Sequence, residues 1–206
     1  MKKLILMLIL VATIVMGGFE KDEFDQSSFH SGVKLGLTYS NAVGDDAGKD
    51  NQGTFGFELG AFILHPINDM ITFQPEILFT QKGYSEESTV FGINYDNDYT
   101  LNYLQVPLLL SFKTAPGLKV YGGGYVSYFM SASVNFNHSG STSDAEKSIE
   151  KLLNDFDAGI VAGVMFRGNN NLLFDLRFER GFSQINKDGD LDIFNQSFKL
   201  SVGWLF

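Results

Sequence analysis

The chain has 206 residues, with 24 acids against 15 bases (net charge −9), 22 Gly, 20 Phe, only 4 Pro and no Cys. Its length suits one domain, and the missing Cys excludes a disulfide framework, a thiolate metal site and a lipid-anchored N-terminal Cys. The acidic balance argues against nucleic acid as a partner, while many Gly and aromatic residues with few Pro suit strands joined by turns.

Residues 1–18 read as an export signal. Lys2 and Lys3 precede an apolar run from Leu4 to Met16, broken only by Thr13 and followed by Gly17 and Gly18. The run is shorter than the roughly 20 residues a spanning helix needs and matches the apolar core of a secretory signal. Cleavage is expected near Gly17 to Phe19. Residues 19–28 then form a short periplasmic segment, and residues 29–206 the folded domain.

Strand signals follow at Phe29–Asn41, Gly53–His65, Met70–Tyr84, Tyr99–Thr114, Leu118–Phe136, Asp155–Arg167, Leu172–Gln184 and Phe194–Phe206. Strands show alternate residues to opposite faces, and seven of these eight have one bulky apolar face. Strand one presents Val33, Leu35, Leu37 and Tyr39, and strand four Leu104, Val106, Leu108, Leu110 and Phe112. The last strand presents Phe198, Leu200, Val202, Trp204 and Phe206. Strand five breaks the rule from Tyr121 through Gly122, Gly123, Gly124 and Tyr125 onward, which predicts a bulge or Gly kink in it. Pro75 and Pro107 lack a ladder donor, so a bulge or a water-filled gap is expected beside each.

The connections alternate in length. Segments 66–69, 115–117 and 168–171 are short, whereas 42–52, 85–98, 137–154 and 185–193 are long. Ser143 with Glu146 three residues on forms a capping box, which predicts a short helix in the third long loop with Ile149, Leu152 and Leu153 resting on the rim. Eight strands with this asymmetry form an all-β, antiparallel, up-and-down transmembrane β-barrel. Its short turns and both termini are periplasmic and its long loops extracellular.

A water-soluble, lipocalin-like barrel is the competing reading. Three features favour the membrane. The apolar set is bulky almost throughout, whereas eight strands leave an interior that side chains only just fill. The other set is rich in Gly, Ser, Thr and Gln. Charge is also partitioned. The strand interiors carry Lys34, Lys82, Arg177, Arg180 and Lys199 against Glu58, Glu76, Asp157, Asp175 and Glu179, whereas the long loops with Asp155 carry fourteen acids against four bases. Charges toward lipid are costly, so the strand charges are expected to pair inside. Lys34, Glu58, Glu76, Asp175, Arg177, Glu179 and Lys199 form the candidate lumen network. Counting back from the turn at 66–69 puts Glu58 nearly opposite Glu76, a pair that needs Lys34, Arg177 or Lys199 between its carboxylates. Phe112, Phe166, Trp204 and Phe206 are candidates for an aromatic interface.

Paired carboxylates can also serve as general acid and base, but an interior packing network is the simpler reading. His30-Ser31 and His138-Ser139 suggest a lipid hydrolase only weakly, because neighbours on a strand point to opposite sides. Asp188, Asp190 and Asp192 resemble part of a Ca²⁺ loop without its closing Glu, leaving an acidic solvated loop as the default. No cofactor is implied.

Four stretches together resemble the PorT-type outer-membrane β-barrel family of diderm bacteria, often labelled "porin family". They are G-V-K-L-G-L-T-Y-S-N (32–41), F-Q-P-E-I-L-F-T-Q-K-G (73–83), L-N-Y-L-Q-V-P-L-L-L (101–110) and N-D-F-D-A-G-I-V-A-G (154–163), with the aromatic terminus. The resemblance implies an OmpA/OmpX-like eight-stranded barrel in the bacterial outer membrane and little about activity. The expected role is a non-enzymatic anchor whose acidic loops meet a protein partner, cations or lipopolysaccharide. Outer-membrane lipid surrounds it, and the barrel-assembly machinery engages its C-terminal strand. A narrow channel for ions or small solutes is the first alternative, and an accessory factor in secretion or envelope assembly the second.

Overall fold

The computed structural model describes residues 29–47, 51–90, 93–136, 153–168, 171–187 and 191–206. The expected export signal, the segment 19–28, the third-loop helix from Ser143 to Leu152, His138, Ser139, Asp188 and Asp190 lie outside the described residues. Eight strands are present: β1 (His30–Val43), β2 (Asn51–Pro66), β3 (Ile71–Val90), β4 (Ile93–Ala115), β5 (Leu118–Phe136), β6 (Phe156–Arg167), β7 (Leu172–Gln184) and β8 (Phe194–Leu205). Each pairs antiparallel with its neighbours, and β8 returns to β1, closing the barrel. Closure leaves the barrel wall without an unpaired edge, the condition for a sheet to survive in hydrocarbon.

Local chemistry sets the three tight turns. Asn68 Oδ1 accepts the backbone N–H groups of Met70 and Ile71, each at 2.9 Å. Gly117 (φ 71°) and Asn171 (φ 64°) take the left-handed conformation that the other two turns need, which Gly and Asn tolerate best. At the other end, the segment 85–98 is not a loop. β3 and β4 stay paired through Val90↔Ile93, so the hairpin extends well past Tyr84↔Tyr99. The polar, charged run there carries no sustained alternating apolar pattern that would mark a strand.

Pattern translates directly into facing. Along β1, Lys34, Thr38 and Ser40 are buried while Val33, Leu35, Leu37 and Tyr39 are exposed. On β4, Gln105 is 0% exposed and Leu108 is 52% exposed. Arg177, Lys82, Lys199 and Glu58 are among the most fully enclosed side chains. A water-soluble fold reverses this order.

Two apolar clusters and a set of paired charges fill the lumen. One cluster reaches from the short-turn end into the charged level, with Phe62, Leu64, Leu109, Tyr121, Tyr125, Val161, Met165, Leu173 and Leu205, and Val161 lies opposite Glu179. Toward the long loops, Ala42, Leu101, Tyr103, Phe129, Ala132, Leu153 and Ile185 form a second cluster. Leu153 belongs to the expected third-loop stripe, and its backbone bridges to Asn186.

β5 carries the irregularity expected from Tyr121 onward, though not at its glycines, and neither proline makes a bulge. On β5 the glycine run keeps register, with Gly122, Gly123 and Gly124 opposite Leu110, Leu109 and Leu108. The irregularity lies further on, where Tyr103↔Phe129 is followed by Asn102↔Ser131 and Met130 is the extra residue. The in-facing parity then passes from Phe129 to Ala132. The glycines merely lack side chains to report parity. Neither proline creates a bulge: Pro75↔Leu108 and Leu78↔Gln105 belong to one unshifted register, as do Val106↔Val126 and Pro107↔Tyr125. Each proline leaves a short gap in one ladder instead: the β3–β4 pairing skips Glu76 and Ile77 opposite Pro107 and Val106, and the β2–β3 pairing skips Gln74 and Pro75 opposite Leu64 and Ile63.

Candidate functional site in the barrel lumen

The site is built by strand parity. β1 contributes Lys34, β2 Glu58, β3 Glu76 and Lys82, β6 Asp157, β7 Asp175, Arg177 and Glu179, and β8 Lys199. All nine are buried. Lys34 Nζ lies 2.9 Å from Asp175 Oδ2, 3.2 Å from Glu76 Oε2 and 3.3 Å from Glu58 Oε1. Arg177 clamps Glu76 bidentately, Nη1 to Oε2 at 2.9 Å and Nη2 to Oε1 at 2.8 Å, the geometry a planar guanidinium favours. Arg177 also donates to Asp175 at 3.0 Å and to the Tyr121 hydroxyl at 3.0 Å, and Tyr121 donates to Asp175.

A second group lies nearer the long loops. Lys82 Nζ is 3.1 Å from Asp157 Oδ2 and 3.8 Å from Glu179 Oε2, and it stands 4.3 Å from the centre of the Tyr125 ring. Gln105 donates to Glu179 at 2.8 Å, and Asn195 and Tyr125 both donate to Asp157 at 3.1 Å. Lys199 joins the two groups, 3.2 Å from Glu58 and 3.0 Å from Glu179. Each base thus touches at least one carboxylate, which buried charge requires.

The expected opposition of Glu58 and Glu76 is corrected. Glu58 pairs with Thr80, and Glu76 with Phe62, four register positions away. The turn at 66–69 is asymmetric, with Pro66 opposite Thr72, and counting symmetrically from its middle misplaced the register. Lys34 nevertheless bridges both carboxylates, because tilted strands bring residues of different register to one level of a barrel. Arg177 and Lys199 each take one of the two as well.

The balance differs from the expected five against five. Arg180 has outward parity, between lumen-facing Glu179 and Gly181, and its guanidinium stands 5.6 Å from the centre of the Phe194 ring. The ion network therefore holds five carboxylates and four bases. Among the described residues no three His, Asp or Glu converge as a metal-ligand set. Asp192 instead accepts a hydrogen bond from Gln184 and donates its backbone N–H to Asp46. His65 stacks edge-on with Phe29 near the short-turn end, and His30 and Ser31 stand on opposite faces of β1.

Residues 24–187 match the family model described as "Outer membrane protein beta-barrel domain". The chain belongs to that family. No curated protein matches it. Among solved structures it is similar to Neisserial surface protein A (NspA), with a TM-score of 0.54 at 16% identity over 85% of this chain and 97% of that one. It is also similar to Ail, the attachment invasion locus protein of Yersinia pestis, in its complex with the heparin analogue sucrose octasulfate. That TM-score is 0.50 at 18% identity, over 87% of this chain and 99% of that one. At such identities the likeness concerns the fold.

An outer-membrane β-barrel presents its apolar face to lipid, which accounts for the inverted exposure of its side chains. Of the four residues expected at an aromatic interface, Phe112, Trp204 and Phe206 are exposed and Phe166 is half-buried. All four lie near the short turns, where Phe112 faces Ile71 and Trp204 faces Leu172. A second belt at the opposite end escaped the sequence reading. It contains Tyr39 against Phe55, Tyr128 against Phe156, and Phe182. Its signal was present as aromatics on outward parity flanking the connections 42–52, 137–154 and 185–193.

Lys82 and Asp157 completed the network although the expected core set omitted them, because each sits toward a strand end. Three further bases, Lys113, Lys119 and Arg167, were passed over entirely because they adjoin the short turns.

Proposed function

We propose that this family member is a non-enzymatic anchor that holds four acidic connections at the cell surface for contact with a protein partner, cations or lipopolysaccharide. One observation carries this reading: the lumen is filled by nine buried, mutually paired ionisable side chains together with two apolar clusters, one around Phe62, Leu109 and Leu205 and one around Leu101, Phe129 and Ile185. A lumen filled in this way suits a rigid peg better than a conduit. The proposal places both termini and the short turns in the periplasm and the long connections outside, on the length asymmetry that outer-membrane barrels share. Folding through the barrel-assembly machinery by way of β8, and a PorT-like part in secretion or envelope assembly, rest on family resemblance. The enclosure of Glu58 and Glu76 also favours an ion-pair role over acid–base chemistry on a substrate.

Planar-bilayer recording of the refolded chain tests the reading against a narrow channel. Silence at physiological salt is the expected outcome. Steady, reproducible openings would replace the anchor by the channel.

A further inference from the structure

Three basic side chains gather at the short-turn mouth of the lumen. Lys113 follows buried Ser111 by two residues on β4, Lys119 precedes buried Tyr121 by two on β5, and Arg167 follows buried Met165 by two on β6. Strand parity therefore turns all three inward, away from lipid. Lys113 and Lys119 are direct partners in the β4–β5 register, and like charges placed directly opposite destabilise a sheet. Lys119 is half-buried, and its Nζ donates to the Thr72 hydroxyl at 2.8 Å.

The deeper bases are treated differently. Lys34, Lys82, Arg177 and Lys199 lie 2.9, 3.1, 2.8 and 3.0 Å from their nearest carboxylates. No described carboxylate comes within 4.0 Å of Lys113 or Lys119. The cross-strand row Lys119, Met165, Asp175 puts a buried apolar side chain between Lys119 and the nearest strand-paired lumen acid, and that acid is already engaged by Lys34, Arg177 and Tyr121. Lys113 and Lys119 thus face each other without a described acid between them, while Arg167 beside them donates to Asn171 Oδ1 at 3.2 Å.

From this juxtaposition we propose that Lys113, Lys119 and Arg167 form a binding site for a phosphate group at the short-turn mouth, with Thr72 as a polar neighbour. A dianionic oxyanion supplies the charge that relieves the Lys113–Lys119 opposition, and its several acceptor oxygens suit two ammonium groups and a guanidinium. Phosphate in solution and the phosphate of an anionic lipid headgroup share this chemistry.

The test follows backbone amide NMR signals of the refolded chain, with two sources of phosphate. In maltoside micelles, which carry no phosphate, inorganic phosphate is added at constant ionic strength with chloride as the control. Separately, phosphatidylglycerol is added to the same micelles. Saturable shifts at Gly117, Lys119 and Arg167 with inorganic phosphate support a free-phosphate site. Shifts with phosphatidylglycerol alone support a lipid-headgroup site. In either case Lys113→Ser with Lys119→Ser should weaken the response at least tenfold while leaving the remaining spectrum folded. The proposal is overturned if neither source shifts these signals, if chloride reproduces the shifts, or if they survive the double substitution. Should the double variant fail to fold, Lys113→Ser alone must weaken the response, and an unchanged response overturns the proposal.

Discussion

Arg177→Met is the most informative single perturbation of the lumen. The substitution keeps an unbranched side chain but removes both bonds to Glu76, the bond to Asp175 and the bond to Tyr121. It leaves three bases facing five carboxylates. Breaking one side of a buried ion network typically costs about 3–5 kcal/mol. Here the lower half of that range is expected, because Glu76 keeps Lys34 at 3.2 Å and Gln74 at 2.6 Å. Adding Glu76→Gln restores the difference of one between acids and bases. Contacting residues couple by roughly 0.5–3 kcal/mol, so the double variant should be more stable than Arg177→Met alone. Stability is read by urea titration of the barrel in phospholipid vesicles, following the fluorescence of Trp204, the only Trp in the chain. A single-variant loss below about 1 kcal/mol, or a double variant weaker than the single one, would refute the claim that these side chains act as one buried network.

Two further substitutions probe the wall. Leu108→Arg puts a cation on the lipid face and should lower stability by about 2–4 kcal/mol near the midplane, measured by the same titration. Gly123→Ala tests close strand approach. A Cβ there would stand 2.1 Å from the Leu108 carbonyl oxygen, so the strands must shift, and a loss of about 1–3 kcal/mol is expected. An unchanged urea midpoint would show that β4 and β5 separate more easily than the register implies.

Much of the fold was legible because the bilayer enforces a strict period of two. Bulky apolar residues must face lipid, and the narrow interior must take what remains, so Val33 to Tyr39 and Leu104 to Phe112 declared both strand and facing. The network was legible as a set because charges on the lumen parity have to meet one another. What failed was geometry the alternation does not encode. The partner of Glu58 depends on turn asymmetry at Pro66 and on strand tilt. The position of the β5 bulge was hidden because Gly122–Gly124 carry no side chain to mark a face. The β3–β4 extension is a polar, charged run whose sequence has no sustained alternating apolar pattern to reveal a strand. Arg180 looked like a lumen charge because residue type was counted ahead of parity. Lys113, Lys119 and Arg167 were overlooked because their neighbours read as turns.

Side chains on alternate positions of each strand face lipid and a closed, charged interior. The natural absence of Cys allows single cysteines at each position from Leu104 to Leu110, labelled with a nitroxide in bilayers and probed by lipid-soluble oxygen and a water-soluble nickel chelate. The account predicts strong oxygen contact at 104, 106, 108 and 110, and low access to both probes at 105, 107 and 109. Oxygen contact at the odd positions, or nickel access at the even ones, would contradict it.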